Sequence, residues 1–284
     1  ARAQGWTTEV VSSEDAPLEI RLNDRDNSPR IDFAFRHTTT EEGFADLFAY
    51  EADAVLALRE VTDAEADVAL QTGIGMLQVR IVGLDALVPV VSPLQSVDAI
   101  SIADLAALYA GDVKNWGALA ENDLPVELHL LERRHGLAQA VVARVLSDEA
   151  PGIIRHSSVD DLVAAVTRRP GAIGIAPFGE TGVAQPVMLE DTCGIRAQPQ
   201  LTSVKTEDYP LTFPLYLYLP ERRQPFEFAK FLEWLRSPAA DLVVRRAGFV
   251  DQGVIPIPLD VQGQRFANAI AAAGPELPLA ELQR

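Results

Sequence analysis

The chain has 284 residues, 48% of them hydrophobic and 23% charged, with a net charge of −17. That length allows one large domain or two medium ones, while the charge excludes nucleic acid and anionic membrane surfaces, which need clustered cations. No run of about 18 apolar residues is present to span a bilayer. The opening "ARAQGWTTEV" lacks the basic start and apolar stretch of a signal peptide and does not begin with Met, which reads as a processed or trimmed product.

Taken in order, strand-like and helix-like stretches alternate, the pattern of an α/β fold. "PLEIRLND" and "RIDFAFRH" read as strands joined by the turn-rich "DRDNSP". "TEEGFADLFAY" follows as a helix, with Phe44, Leu47 and Phe48 at the i, i+3, i+4 spacing. "DAVLALR" is a short apolar strand, and "TDAEADVAL" opens with the capping-box pair Thr62 and Glu65. "LQVRIVGLDALVPVVS" is strand-rich.

"SIADLAALYAGDVKNWGAL" then predicts a helix capped by Ser101 and stopped by Gly111. "VELHLL" is a strand and "GLAQAVVARVL" a helix; "SSVDDLVAAVTRRPG" is another capped helix, and "AIGIAPF" a buried strand. "PLTFPLYLYLP" reads as a proline-punctuated strand pair. Two helices follow, "PFEFAKFLEWLRS" and "PAADLVVRRAG", the second with Pro at its start and Gly at its end. "GVIPIPLD" is a proline-spaced linker, and residues 251–284 form a linker and helical tail, expected to run on into a further domain.

Catalytic and metal motifs are not found. G-x-S-x-G, the Walker A pattern and G-x-G-x-x-G are absent, and "GIGML" has too few glycines. The histidines at 37, 129, 135 and 156 show no H-E-x-x-H or other close ligand pairing. The single cysteine, Cys193, permits no internal disulfide and no thiolate metal site, and is expected to be a small buried residue. Glu41–Glu42 and Asp160–Asp161 fall at helix starts, where they favour the dipole. The expectation is that the protein is not an enzyme, with no cofactor and no metal.

Several segments together resemble the periplasmic phosphate-binding proteins of ABC transporters, within the type 2 periplasmic binding protein fold. "YPLTFPLYLYLPERRQPFEFAKFLEWLRSPAADLVVRRAGFV", "ISIADLAALYAGDVKNWGAL" with Asn115 and Trp116, "RRPGAIGIAPF", and "EADAVLALREVTDAEAD" with Arg59 carry the likeness over roughly residues 30–250. The resemblance implies two α/β lobes, residues 1–88 with 212–250 and residues 89–211, joined by crossover strands in "LVPVVSP" and "PLTFPLYLYL". It implies a small anion such as phosphate, captured by lobe closure in the cleft, and a periplasmic location.

The family receives its anion on three loops at helix N-termini, where free N–H groups, the helix dipole and hydroxyls favour negative charge. The first loop and its strand are expected to be missing, with "ARAQGW" as the last turns of the helix that follows, leaving a gap in the sheet. Thr38, Thr39 and Thr40 stand at the second loop; Thr39 with Glu42, or Thr38 with Glu41, would equally make a plain N-cap. At the third loop His135, Gly136 and Leu137 replace the family's Ser-Gly-Thr, and Arg133 and Arg134 lie beside them, as an anion grip or a solvated turn. Arg59 follows a strand and is read as a ligand or a partner of Glu60 or Asp63; His156, Ser157 and Ser158 form a cleft rim or a cap. Two functions follow. One is an extracytoplasmic solute-binding domain serving an ABC transporter permease. The other is a sensory or interaction module whose pocket has lapsed, fused to a cell-envelope domain of the peptidoglycan-binding kind.

Overall fold

A computed structural model of the chain describes residues 7–10, 18–23, 26, 29–120, 123–146, 148–222 and 224–273. The "ARAQGW" segment and the end of the tail lie outside the described residues. Strands β1 (Thr7–Val10), β2 (Leu18–Asn23) and β3 (Pro29–Phe35) form a separate antiparallel sheet. Arg21 and Asp32 face each other across it and are hydrogen-bonded at 2.8 Å. Helix α1 (Thr40–Phe48) buries Phe44 and Leu47, the two residues that the i, i+3 spacing places on one face. Strand β4 (Val55–Ala57) and helix α2 (Asp63–Gln71) follow, and α2 starts at the predicted Thr62–Glu65 capping box.

Strand β5 (Gln78–Val91) is a single run of 14 residues. After β6 (Ala99–Ser101), α3 (Ile102–Ala110) begins at Ser101, whose Oγ accepts the Asp104 amide at 3.0 Å. It ends at Gly111, whose φ of 83° is left-handed and suits glycine. Asn115 caps the turn Trp116–Ala118, and the buried Trp116 ring donates to the Gly171 carbonyl at 2.9 Å. Then come β7 (Glu127–Leu131), α4 (Gly136–Arg144), β8 (Ile154–His156), α5 (Val159–Thr167) and β9 (Ala172–Pro177). Short strands β10 (Gln185–Pro186), β11 (Met188–Glu190) and β12 (Arg196–Ala197) precede helix α6 (Leu201–Lys205). Strand β13 (Thr212–Leu219) leads to α7 (Phe226–Trp234), α8 (Pro238–Arg246) and α9 (Leu259–Ala273).

The main sheet runs β4-β13-β5-β9-β7-β8, with β10 also on β5, and a small sheet runs β12-β11-β6. β5 connects two regions: Gln78–Ala86 pairs with β13, and Leu87–Val91 pairs antiparallel with β9. β9, β7 and β8 are mutually parallel. The largest core, with Leu87, Val88, Leu105, Leu130 and Ile173, surrounds this second region. Around the first region, β13 serves two smaller cores on opposite faces, as alternation in a strand requires. Tyr218 packs with Phe44, Leu47 and Val55, while Leu217 and Leu219 pack with Leu232 of α7.

Two expectations need correction. "PLTFPLYLYLP" is the one strand β13, not a pair. Pro214, which has no N–H to give, faces Leu84 of β5, whereas β4 pairs only with Tyr216–Tyr218. Cys193 is exposed, because it sits in the turn between β11 and β12, where its amide donates to Asp191 Oδ1 at 2.8 Å.

Candidate functional site

Thr39 is the N-cap of α1. Its Oγ1 accepts the Glu42 amide at 3.2 Å, and Glu42 Oε2 accepts the Thr39 amide at 2.9 Å, a complete capping box. Thr40 is the first helical residue, and Thr38 is exposed beside it. Glu41 and Glu42 occupy the first turn, so the dipole's positive end already has two carboxylates near it.

Glu41 leads directly to Arg59, two residues past β4. Arg59 Nη2 donates to Glu41 Oε1 at 2.9 Å, and its fork grips Glu65 at 2.9 and 2.8 Å. Nη1 also donates to the Glu60 carbonyl at 2.9 Å, and the guanidinium lies 5.8 Å from the Phe44 ring centre. The Glu65 hydrogen bonds, opposed by burial and assisted by Glu41, hold the Arg59 pKa above its ordinary value. Burial would raise Glu65, but the hydrogen bonds from Arg59 and Thr62 outweigh it and keep its carboxyl below the usual range. Arg59 therefore ties α1 to α2, and its partners are Glu65 and Glu41 instead of the carboxylates of Glu60 or Asp63.

Leu58, beside Arg59 in sequence, reaches the start of α4. His135 caps it, its Nδ1 accepting the Leu137 amide at 3.2 Å, so the imidazole performs the capping task that a serine would. Gly136 opens the helix, and a Cβ there would stand 3.4 Å from Leu58 Cδ1. Leu58, one residue before Arg59, thus lies against the first turn of α4. At the other end of that helix, Arg144 Nη2 donates to the Leu58 carbonyl at 2.9 Å, with the guanidinium 4.8 Å from the Phe213 ring centre.

The structure brings Thr38–Thr40, Arg59 and the His135–Gly136 turn to one place, through Glu41 and Leu58. It does not bring Arg133 or Arg134 to Arg59. Arg133 pairs with Glu149 and Arg134 with Glu132, and their side chains are 78% and 83% exposed. Ser158 caps α5, accepting the Asp161 amide at 3.2 Å, and His156 Nε2 lies 2.8 Å from His129 Nδ1, inside the second core region.

Sequence reasoning missed Leu58, Arg144, Tyr216 and Tyr218. Tyr218 Oη accepts the Val61 amide at 2.9 Å and Tyr216 Oη donates to Glu60 Oε1 at 3.2 Å, so both tyrosines hold the segment after β4. Burial, with Glu60 nearby, raises the Tyr216 hydroxyl pKa to about 12, so it stays a donor at neutral pH. A lone arginine closing the apolar run "GLAQAVVAR" was the one signal available for Arg144. Among the described residues, no group of three or more His, Cys, Asp or Glu could hold a metal, and no helix is long and apolar enough to cross a membrane. Around these two helix starts the polar groups are already engaged: Thr39 and His135 serve as caps, and Arg59 is bound by Glu41 and Glu65.

A mixed sheet threaded by the long β5 and the returning β13, with helices on both sides, defines the class: a two-lobed α/β binding protein of the type 2 periplasmic fold. Residues 24–239 match the PBP superfamily domain, and the chain belongs to that family. Phosphate-binding protein PstS of Staphylococcus aureus is 24% identical over 254 residues, covering 84% of this chain and 76% of the relative. Its namesake in Bacillus subtilis is 28% identical over 194 residues, or 67% of this chain and 60% of that one. An ABC-type phosphate transport receptor from Vibrio cholerae superposes with a TM-score of 0.66 at 20% identity, covering 76% of this chain and 85% of that chain. A possible phosphate binding protein from Planctomyces limnophilus does so at 0.60 and 22%, covering 81% and 84%. At such identities the likeness to solved structures establishes the fold.

Proposed function

We propose that the chain is an extracytoplasmic solute-binding domain that captures a small, phosphate-like anion between two lobes. The lobes would be residues 1–88 with 212–250 and residues 89–211. The capture groups would be Thr38, Thr39, Thr40 and Arg59 on one side and His135 and Gly136 on the other, with Arg133 and Arg134 on the rim. One observation carries this reading: Glu41 at the start of α1 binds Arg59, and Leu58, the residue before Arg59, reaches the start of α4. The relatives' names, phosphate-binding protein and phosphate transport receptor, supply the ligand class. Delivery to an ABC permease belongs to the same reading, with closure of the lobes as the mechanism and no covalent step.

A second reading is supported by the ion pairs. Arg59, Arg133 and Arg134 are each already matched by a carboxylate, and Leu58 covers Gly136. On that reading the pocket has lapsed and the domain serves as a sensory or interaction module of the cell envelope. Calorimetric titration with phosphate, sulfate and small carboxylates separates the two. Saturable heat that weakens in Arg59→Ala supports anion capture; no heat with any anion at millimolar concentration rejects it in favour of the second reading.

A further inference from the structure

We propose that Leu58 is a plug over the first turn of α4 and that Arg144 is the latch that holds it there. This rests on the anion-capture reading, since the plugged turn is one half of that site. The first amides of a helix have no carbonyl partner inside it and are what an anion would meet. At α4 the Leu58 Cδ1 stands 3.4 Å from where a Cβ on Gly136 would be, and Leu58 packs on the main core. An apolar side chain at that spot gives an anion nothing to bond.

Arg144 explains why the plug stays. A long side chain in a helix leans toward the N-terminus, so the guanidinium of the last residue reaches back along α4 to the same Leu58. It bonds the Leu58 carbonyl at 2.9 Å and stacks on Phe213. Among the described residues Arg144 makes no ion pair, and its Nη1 is buried without an acceptor. A guanidinium committed to one carbonyl and one ring, with a donor unmet, is poised to exchange partners, unlike the saturated Arg59.

The contacts also show where the cleft would part. Arg59 is bound to Glu41 and Glu65, and Val61 and Glu60 to Tyr218 and Tyr216, so the segment after Leu58 stays with α1, α2 and β13. Contacts from this side to α4 include the Leu58 side chain near Gly136, the Arg144 bond and the stacking of Arg144 on Phe213 of β13. Opening at α4 would require that the Leu58 packing, the Arg144 bond and the Arg144–Phe213 stacking be lost, after which the first turn of α4 and the Arg144 donors are both uncovered.

The test uses spin labels at Val68 of α2 and Val142 of α4, both exposed, in a Cys193→Ser background. Without ligand, Arg144→Met is expected to shift the interspin distance distribution to longer values, and Arg144→Lys to do so partially; the lysine variant also serves if the methionine variant fails to fold. An unchanged distribution in the folded variants overturns the latch. In parallel, inorganic phosphate is titrated into wild type, Leu58→Ser and Arg144→Met. Removing a closed, plugged state that dominates the ligand-free ensemble should tighten apparent affinity about tenfold or more. Equal or weaker binding in Leu58→Ser overturns the plug while leaving the anion reading intact. A longer distance with no phosphate heat in any protein overturns the anion reading and the plug, and retains the latch alone.

Discussion

Asp85 Oδ1 accepts the Phe178 amide at 3.0 Å across 93 residues of sequence, and the Ala86 amide at 2.7 Å. The carboxyl is buried at 3% exposure, at the point where β5 exchanges β13 for β9. Burial raises its pKa to about 6, against the two amide bonds, with a further upward push from Glu180. Unfolded, the group titrates near 3.8. The folded state therefore holds the extra proton between these values, and the contribution of Asp85 to stability is lost as pH rises from about 4 through about 6. A shift of this size corresponds to at most about 3 kcal/mol. Asp85→Asn keeps an oxygen for both amides and loses the charge. It should be more stable than wild type by about 1–3 kcal/mol at pH 7.5 and nearly equal to it at pH 4, as read by urea unfolding at both. A difference independent of pH would refute the assignment.

His129 is fully buried with both ring nitrogens engaged: Nε2 at 2.7 Å from Glu127 Oε1, and Nδ1 at 2.8 Å from His156 Nε2. A carboxylate only accepts, and Glu127 is held ionised by Arg169 and His129 against the effect of burial. His129 must then carry its proton on Nε2, and its Nδ1 must accept from His156 Nε2–H. Nitrogen-15 imidazole spectra at pH 7.5 should show the Nε2–H tautomer for both rings. A proton on His129 Nδ1 would overturn the reading. Burial lowers both histidine pKa values, opposed at His129 by Glu127 and at His156 by Asp161. Both rings thus contribute stability present above pH 6.5 that is lost as pH falls below it. This trend opposes that of Asp85, which is why the Asp85 test is framed as a difference between two proteins.

Asp251 is 1% exposed and accepts Lys205 Nζ at 2.9 Å, Arg245 Nη1 at 2.9 Å and the Gly253 amide at 2.8 Å. It joins α6 and α8 to the segment that leaves the main sheet. Burial would raise its pKa, but the Lys205, Gly253 and Arg245 bonds prevail and lower it, so its contribution is lost only on acidification below about 3.8. Asp251→Ala leaves Lys205, 11% exposed, without a counter-ion. Breaking a buried pair in this way costs about 3–5 kcal/mol. Adding Lys205→Met should restore part of that loss in denaturant unfolding, and strictly additive losses would show that the two residues are not coupled.

The fold was legible where local rules and tertiary packing agree. The caps at Thr39, Thr62, Ser101 and Ser158, the Gly111 stop and the β4, β7 and β9 strands stand where the sequence places them, because each depends on neighbours within four residues or on plain apolar periodicity. The single strand β13 was not legible, since three prolines in "PLTFPLYLYLP" suggest interruption when the pairing partner is unknown. The site was legible by segment and not by contact. Threonines, Arg59 and the His135 turn were all visible as polar groups at element ends, yet Arg59's choice of Glu65 and Glu41 depends on how α1 and α2 pack. Leu58 carried no local signal, and the one signal for Arg144, an arginine closing an apolar helix, does not by itself distinguish it from ordinary surface. Asp85 lay in plain view within "VGLDALVPVV", and its partner Phe178 could be identified only from the β5–β9 pairing.

The three threonines can be separated by role. Thr39 holds the reciprocal bonds of the capping box, and a threonine-to-alanine change at such a position costs about 1 kcal/mol. Thr38 makes no capping bond and is exposed, with its Oγ1 only 3.4 Å from where a Gly43 Cβ would stand. Thr39→Ala should therefore lower stability by about 1 kcal/mol, and Thr38→Ala by less than about 0.5 kcal/mol, as expected for an exposed position away from special features. On the anion-capture reading both hydroxyls also face the ligand, so Thr38→Ala should reduce phosphate affinity severalfold without a matching loss of stability. Stability and affinity measured on both variants divide the possibilities. If Thr38→Ala leaves affinity unchanged while Thr39→Ala lowers stability alone, the run is a helix cap, and the ligand's hydroxyl contacts must be sought elsewhere.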